Sequence, residues 1–393
     1  MSALKEFRME TRDWLAENCP PGARGEGQVA TGSTKIKIKD TDTLLWLERM
    51  KEKGWTVPNW PKAYGGGGLS TPEYIVLIEE MQRIQARPAL SSFGTSMIGT
   101  TLLEFGTEEQ KRRHLPRIAR AEVEWCQGYS EPGSGSDLAS LQTQAELEGD
   151  HYVINGQKIW TSAAEDADWI FCLVRTNHEV QQQKGISFLL IDLKSPGITI
   201  QPLYAFNGKR LWNQVFFDDV RVPVIQRLGE EDRGWTVAKS LLGNERLLVS
   251  RVAENKRILS ILRETVTAQL DRGLCLPAGM ALEIDELDIR LSALEMTSLR
   301  ILAEADAGGQ IGAEPSMLKL KGSELVQAQD EVLFRLVDHL VLPKDTKNTE
   351  RDPVDPAFAE FVASGCYHHR GFTIAGGSSE VQHNIIAKQV LGL

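Results

Sequence analysis

The first third of the chain has the hydrophobic spacing of α-helices. Apolar residues recur three and four positions apart in "DTLLWLERMKEKGW" and in "STPEYIVLIEEMQRI", and the second segment begins with a cap residue followed by proline. "GTEEQKRRHLPRIAR" reads as a short polar helix. The glycine-rich "YGGGGLS" has no lysine after it, which favours a connection between helices over a phosphate-binding loop. We predict a helical domain over residues 1–121.

The spacing changes after residue 121. "ADWIFCLVRT" and "GISFLLIDL" are short apolar runs typical of buried strands, and "GITIQPLY" and "QVFFDDVRVP" continue the series. "HYVINGQKIWTSA" contains an Asn-Gly pair that predicts a turn between extended segments. Closely spaced strands without helical segments between them indicate an antiparallel sandwich or barrel. We predict a β-domain over residues 122–233.

The helical spacing returns at Gly234 and continues to the end of the chain. Residues 234–270 form one long amphipathic run, and two further runs cover 279–308 and 314–342. A polar, proline-containing loop then precedes two more helices. We therefore predict a helical bundle over residues 234–393 and an α+β fold class, with the β-domain between two helical domains.

The composition of the chain limits the partners, metal sites and cellular location that are expected. The 393 residues carry a formal net charge of -10, which argues against nucleic acid or an anionic membrane as the main partner. The five cysteines are scattered and odd in number, which favours a reduced interior over a disulfide or zinc framework, and we predict no metal. We see no apolar run long enough for a membrane span and no signal peptide at the start, so the expected location is cytoplasmic.

Three stretches contain residues suited to ligand binding. "WCQGYSEPGSGSDLASLQT" (125–143) clusters glycines and hydroxyls, either as a tight solvent loop or as backbone lying against a flat or anionic ligand. In "KIWTSA" an aromatic plane precedes two hydroxyls, which suits a core tryptophan or a stacked ring. "TIAGGSSEVQHNIIA" (373–387) places glycines before the last helix, with Ser379 and Gln382 at capping-box spacing.

Taken together, these segments resemble the acyl-CoA dehydrogenase family of flavoproteins over nearly the whole chain. "SEPGSGSD", "INGQKIWTSA", "FFDDVRVP" and "IAGGSSEVQHNIIA" match signature segments of the family in the same order. The resemblance implies FAD bound between the β-domain and the C-terminal bundle. By position, the residues that it assigns to the cofactor are Ser130, Gly135, Ser136, Trp160, Ser162, Ser378 and Glu380, with Ser136 also near the substrate. Both of these last two residues have a structural alternative to cofactor binding. Ser378 would cap the helix, and Glu380 would be a solvated carboxylate in its first turn.

The reaction implied is α,β-dehydrogenation of an acyl-CoA. A carboxylate removes the α-proton, a β-hydride passes to the flavin, and a backbone N–H stabilises the enolate-like oxygen. Many members carry the base just before the glycine of the C-terminal loop, but here that position is Gly376. Gly376 could offer its N–H to the thioester oxygen, but it cannot act as the base.

The hydrophobic periodicity of the helix after Gly234 suggests a carboxylate that could act as the base in place of residue 376. Glu245 lies in an apolar stripe that includes Ala238, Leu241 and Leu242, where a lone carboxylate is costly unless it is paired or used. Some branches of the family place the base on this helix, and Glu245 matches that position. The alternative is a buried structural ion pair. The resemblance suggests that Arg246 guides the CoA portion, and an outward salt bridge is the alternative. Glu254 falls on a polar face and is predicted to be solvated.

The resemblance also bears on partners. The "R-x-x-F-G" segment of many homotetrameric members is absent, so a homotetramer and a heterotetramer with a second acyl-CoA dehydrogenase-like chain both stay open. An electron-transfer flavoprotein is the expected acceptor. An acyl-CoA oxidase, a flavin-dependent monooxygenase of the same fold and a non-catalytic subunit are the alternative functions. We expect branched, cyclic or long acyl groups rather than short straight ones.

Overall fold

A computed structural model describes residues 3–25, 27–245, 250–306, 312–337 and 356–393. The chain forms two compact units. The first contains Met1–Leu203 and Arg210–Asn244, and the second contains Tyr204–Lys209 and Glu245–Leu393. The structure thus has two compact units where the sequence predicts three domains. The boundaries of those three domains stay a prediction.

The predicted N-terminal helices are present. Side-chain caps fix where two of them begin: Ser70 and Glu73 form a capping box before one helix, and Thr107 and Gln110 form another. The first three helices pack their apolar faces around buried Trp46, whereas the last two join a different core. In chain order they are α1 (Ala3–Asn18), α2 (Thr41–Glu52), α3 (Thr71–Arg83), α4 (Gly99–Phe105) and α5 (Glu108–Ala119).

The middle of the chain forms one curled seven-stranded sheet. The strands are β1 (Trp125–Gly128), β2 (Gln144–Glu148), β3 (His151–Ser162), β4 (Trp169–Arg175), β5 (Ile186–Asp192), β6 (Ile198–Tyr204) and β7 (Arg210–Pro223). Their order is β1-β4-β2-β3-β7-β6, and β5 pairs with β4. The predicted antiparallel pairing holds for β2–β3, β3–β7 and β4–β5, whereas β1 runs parallel to β4.

Strand β4 has no solvent-facing side, and this explains its continuous apolar run. Phe171 and Leu173 join a core shared with helices α4 and α5, whereas Ile170 and Cys172 join a core on the opposite face of the sheet. The sheet is therefore covered on both faces where β4 lies.

The predicted turn at Asn155–Gly156 is wrong. Both residues lie inside β3, where the register with β7 shifts between Ile154 and Gly156 and glycine adopts a φ of 147°. An Asn-Gly pair can serve a bulge as well as a turn, because glycine takes this conformation without a side-chain clash.

The C-terminal helices are α6 (Gly234–Glu245), α7 (Val252–Asp271), α8 (Met280–Asp306), α9 (Glu314–Val337), α10 (Pro356–His369) and α11 (Ser379–Ile386). Helix α9 is the centre of the bundle and packs against α7, α8, α10 and α11. The single helical run predicted from Gly234 is wrong, because α7 begins only after Arg251, which has a left-handed φ of 52° that a right-handed helix cannot include.

No helix in the described part of the chain combines the length and the apolar character that crossing a bilayer requires.

Candidate functional site

Trp160 projects from the sheet because β3 carries a second bulge. Side chains alternate along the strand, so Trp160 would continue the buried series of Tyr152, Ile154 and Lys158. The register with β7 instead shifts between Lys158 and Thr161, Trp160 takes a φ of 60°, and its side chain is 56% exposed. A positive φ in a bulky residue is strained, and such strain is concentrated at functional sites.

The surroundings of Trp160 combine an open aromatic plane with hydroxyls. The Trp212 ring meets it edge-on, with 5.6 Å between ring centroids. Thr161 is buried, and its Oγ1 makes no hydrogen bond to any described residue. Ser162 is half-buried beside them. The exposed part of the indole is large enough to contact a flat ring, and the predicted place of Trp160 along the flavin stays a prediction.

The loop from Ser130 to Ser136 is held by a buried ion pair. Glu131 and Ser134 exchange two backbone hydrogen bonds, of 2.9 and 3.0 Å, that close a tight turn. The Glu131 carboxylate accepts hydrogen bonds from the backbone N–H of Gln142 and Thr143 and from Lys158 Nζ at 2.7 Å. Burial acts to raise the pKa of Glu131, but Lys158 and these donors lower it below the ordinary value. The ion pair therefore fixes the base of the loop to β3.

The tip of this loop is open. Gly135 and Ser136 are exposed, and a Cβ built on Gly135 would meet nothing within 4 Å. Ser130 is half-buried, and its carbonyl accepts a hydrogen bond from the Ile159 N–H at 2.9 Å. The structure thus brings the predicted loop beside the strand that carries Trp160 and Ser162.

Glu131 and Lys158 were not predicted from the sequence. Lys158 is fully buried and Glu131 is 8% exposed. A signal was available, because alternation from Tyr152 and Ile154 places Lys158 on the buried face, where a cation needs a partner.

In the second unit, the turn before α11 caps that helix. Helix α11 begins at Ser379 as predicted, but its cap is Ser378, whose Oγ accepts a hydrogen bond from the Val381 N–H at 3.4 Å. The predicted Ser379–Gln382 capping box is wrong. Gln382 Nε2 instead donates to the carbonyl of Gly376 at 3.1 Å, so the side chain braces the turn.

The two glycines of this turn, Gly376 and Gly377, both have left-handed φ values, of 68° and 86°. A Cβ built on Gly376 would meet nothing within 4 Å, so this backbone is open to a ligand. Glu380 is exposed, and hydrogen bonds from its own backbone and from Ser378 lower its pKa. Its expected place in the first turn is confirmed.

A buried cation lies on α9. Lys319 is 4% exposed, and its Nζ has no hydrogen-bond partner among the described residues. Burial and the nearby Arg251 charge lower the pKa of Lys319 to about 8, although Glu380 acts in the opposite direction. A buried ammonium of this kind, together with the N-terminus of α11, suits an anionic group such as a phosphate.

A network of ionisable groups connects α7, α9 and α10. His369 lies 2.7 Å from Asp330 and 3.5 Å from Glu254, and Glu254 also pairs with Arg251 at 2.7 Å. Burial acts against a charged imidazole, but hydrogen bonds to Asp330 and Glu254 raise the pKa of His369 to about 9. The prediction that Glu254 is solvated is wrong, because its partner comes from a helix far along the chain.

Glu245 is the last residue of α6. Ala238 and Leu241 of the predicted stripe are buried, and Leu242 packs against the same core. The side chain of Glu245 and all of Arg246 lie outside the described residues. Their roles stay predictions.

Comparison with known proteins gives three family-model matches. The N-terminal, middle and C-terminal domains of acyl-CoA dehydrogenases match residues 2–122, 126–220 and 232–331. Acyl-CoA dehydrogenase IpdE1 of Mycobacterium tuberculosis is 36% identical over 402 residues, covering 100% of this chain and 98% of the relative. Acyl-CoA dehydrogenase FadE26 of the same organism is 31% identical and covers 99% of this chain and 96% of the relative.

Two solved structures of similar chains carry names that join two proteins. The Tcur3481-Tcur3483 steroid ACAD matches with a TM-score of 0.78 and 28% identity, covering 100% of this chain and 98% of that chain. The ChsE4-ChsE5 complex from Mycobacterium tuberculosis matches with a TM-score of 0.75 and 28% identity, with the same coverage.

Proposed function

The chain belongs to the acyl-CoA dehydrogenase family, and we propose that it oxidises an acyl-CoA thioester to the trans-2-enoyl-CoA with FAD as its cofactor. Besides the family, one observation carries the proposal. A bulge holds Trp160 in a strained, exposed conformation next to the Thr161 hydroxyl, which has no hydrogen-bond partner among the described residues. An exposed indole in a strained conformation is suited to stacking on a heteroaromatic ring.

The residues of each unit fit different parts of FAD. In the first unit, Trp160 and Ser162 would lie along the flavin ring, and the loop ending at Ser136 would hold the pyrophosphate and contact the substrate. In the second unit, Ser378 and Glu380 would help to hold the dinucleotide. Lys319 adds a positive charge there that a phosphate would compensate. FAD, when bound, supplies the acceptor for the β-hydride.

The proton chemistry is assigned to the second unit. We infer that Glu245 removes the α-proton, because the position that bears the base in many relatives is Gly376 here. An apolar stripe raises the basicity of a carboxylate by desolvation. The Gly376 N–H would stabilise the negative charge that develops on the thioester oxygen. Arg246 would contact the CoA portion.

The function is tested with the purified, FAD-loaded chain and a panel of acyl-CoAs. Dehydrogenation should give a product lighter by two hydrogen atoms, detected by mass spectrometry, and should need an added electron acceptor. We propose that an electron-transfer flavoprotein is the physiological acceptor. Stoichiometric peroxide formation in air would instead identify an oxidase. Failure of every acyl-CoA to change the flavin spectrum would favour a non-catalytic subunit.

We further propose a heterotetramer with a second acyl-CoA dehydrogenase-like chain. Two observations support it: the "R-x-x-F-G" segment is absent here, and the names of the two similar structures each join two proteins, one of them named as a complex. Native mass spectrometry of the chain expressed alone separates the alternatives. A stable, active species of four 43.7 kDa chains would contradict the heteromer.

A further inference from the structure

Helix α8 is apolar on two opposite faces. Its inner face contributes buried side chains to the core of the bundle: Met280, Ile284, Leu287, Leu291, Leu294 and Ile301. Its outer face carries Leu282, Ile289 and Met296, which follow one another at seven-residue spacing and therefore lie along one line of the helix. Leu299 extends this outer stripe, and the four side chains are between 51% and 73% exposed. A helix that is apolar on all sides is normally buried on all sides.

The outer stripe distinguishes α8 from the helices beside it. Helices α7 and α9, which lie wholly within the described residues, each expose a single large apolar side chain, Leu270 and Met317. Isolated apolar residues of this kind are normal on a protein surface, whereas a contiguous row of them marks a contact with another protein. The outer stripe is therefore suited to a protein partner.

Charged residues flank the outer stripe in an order that is complementary to itself. Ala293 lies in the middle of the outer face, with Glu286 seven residues before it and Arg300 seven residues after it. All three residues are exposed and lie on the side of the helix that carries the stripe. The ion pair that Arg300 makes within α8, with Glu304 at 3.9 Å, is long and exposed, so it contributes little. The guanidinium can therefore pair with another chain.

An antiparallel second copy of α8 would match both the apolar and the charged positions. With Ala293 of the two copies opposite each other, Glu286 of each copy faces Arg300 of the other, and Ile289 lies near Met296. A parallel copy would instead place Glu286 against Glu286 and Arg300 against Arg300, which repel. The small side chain of Ala293 lets the two helices approach closely. A surface that is complementary to itself about one point is what a twofold interface requires.

We propose that two copies of this chain associate through the outer stripes of α8, antiparallel and related by a twofold axis at Ala293. The inference goes beyond the proposed function, because it concerns how copies of the chain meet and not the reaction. It applies to a homotetramer and equally to a heterotetramer that contains two copies of this chain. The measurements that test it do not depend on catalysis, so the inference and the proposed function can fail separately.

Charge reversal tests the antiparallel pairing. Analytical ultracentrifugation of the FAD-loaded full-length chain gives the dissociation constant between copies. Glu286→Arg and Arg300→Glu should each weaken association by about 10-fold or more, because like charges then face each other. The double variant Glu286→Arg/Arg300→Glu should return to within about 3-fold of the wild type, since the pair is formed again in the opposite sense. Glu264→Arg, at an exposed position of α7, is the control and should associate as the wild type does.

Cross-linking identifies the occupant of the outer stripe directly. A benzophenone is attached to the thiol of Ala293→Cys in a Cys275→Ser background, because Cys275 is exposed and the other four cysteines are buried. Irradiation should give a covalent product with the mass of two 43.7 kDa chains, both for the chain alone and after co-expression with a second chain. The same label on Ala268→Cys, at an exposed position of α7, should give none of this product.

Two results would overturn the inference. A cross-linked product that joins this chain to the second chain, or no product at all, would show that a second copy does not cover the outer stripe. A double charge-reversal variant that associates no better than either single variant would show that Glu286 and Arg300 do not face each other. All the substituted positions are exposed, and a circular dichroism spectrum that matches the wild type separates a loss of association from a loss of folding.

Discussion

Replacing His369 should remove a pH-dependent part of the stability of the C-terminal bundle. His369 is 6% exposed and lies between the carboxylates of Asp330 and Glu254. These partners raise the pKa of His369 from 6.5 to about 9 in the folded chain. Because the folded-state pKa is the higher one, protonated His369 stabilises the bundle. This contribution is complete below pH 6.5 and is lost as the pH rises through about 9.

The magnitude follows from the two pKa values. A rise from 6.5 to about 9 corresponds to about 3 kcal/mol of folding free energy. For a unit of this size, that is a fall in melting temperature of roughly 5 to 10 °C between pH 6.5 and pH 9. His369→Gln should lower the melting temperature at pH 6.5, because it leaves the buried Asp330 carboxylate without its cation. The melting temperature of His369→Gln should approach that of the wild type as the pH rises.

The assay is far-UV circular dichroism or calorimetry at fixed ionic strength, protein concentration and FAD concentration. Tryptophan fluorescence is unsuitable, because all nine tryptophans lie in the first unit. Glu283→Gln is the control, since it breaks an exposed ion pair with Arg335 in the same bundle and should change little. A constant difference in melting temperature between wild type and His369→Gln from pH 6.5 to pH 9 would refute the reasoning.

Two further variants test the residues assigned to FAD. Lys158→Met leaves the buried Glu131 carboxylate uncompensated and should destabilise the first unit by about 3 to 5 kcal/mol. FAD retention on gel filtration should fall with it, whereas Arg221→Gln, in an exposed pair with Glu148, should retain both stability and FAD. Trp160→Ala should keep the stability of the FAD-free chain within about 0.5 kcal/mol, because the side chain is exposed. It should weaken FAD binding measured by fluorescence titration, and unchanged affinity would remove Trp160 from the site.

Hydrophobic periodicity predicted which segments are helices and which are strands, because each type of element buries apolar residues at its own spacing. The run at β4 is apolar throughout since both faces of that strand are covered, and the caps at Ser70 and Thr107 are local signals. The residues alone left Trp160 open between a core tryptophan and a stacked ring, and the family resemblance added the expected place along the flavin. The bulge at Trp160 depends on pairing with β7, which alternation along β3 alone does not reveal.

The wrong predictions involve hydrogen bonds and ion pairs that the local residue pattern does not reveal. Glu254 was predicted to be solvated because its helical neighbours are polar, yet its partner His369 comes from α10. Gln382 has capping-box spacing from Ser379, but the glycine turn before Ser378 captures its amide.

The central claim is that Glu245 removes the α-proton from an acyl-CoA. The most direct measurement is the rate at which an acyl-CoA reduces the flavin in the absence of oxygen, followed by the loss of flavin absorbance in wild type, Glu245→Gln and the exposed control Glu264→Gln. We predict that Glu245→Gln retains FAD but is reduced about 10²- to 10⁴-fold more slowly, while the control matches the wild type. Reduction of Glu245→Gln at the wild-type rate would contradict the account.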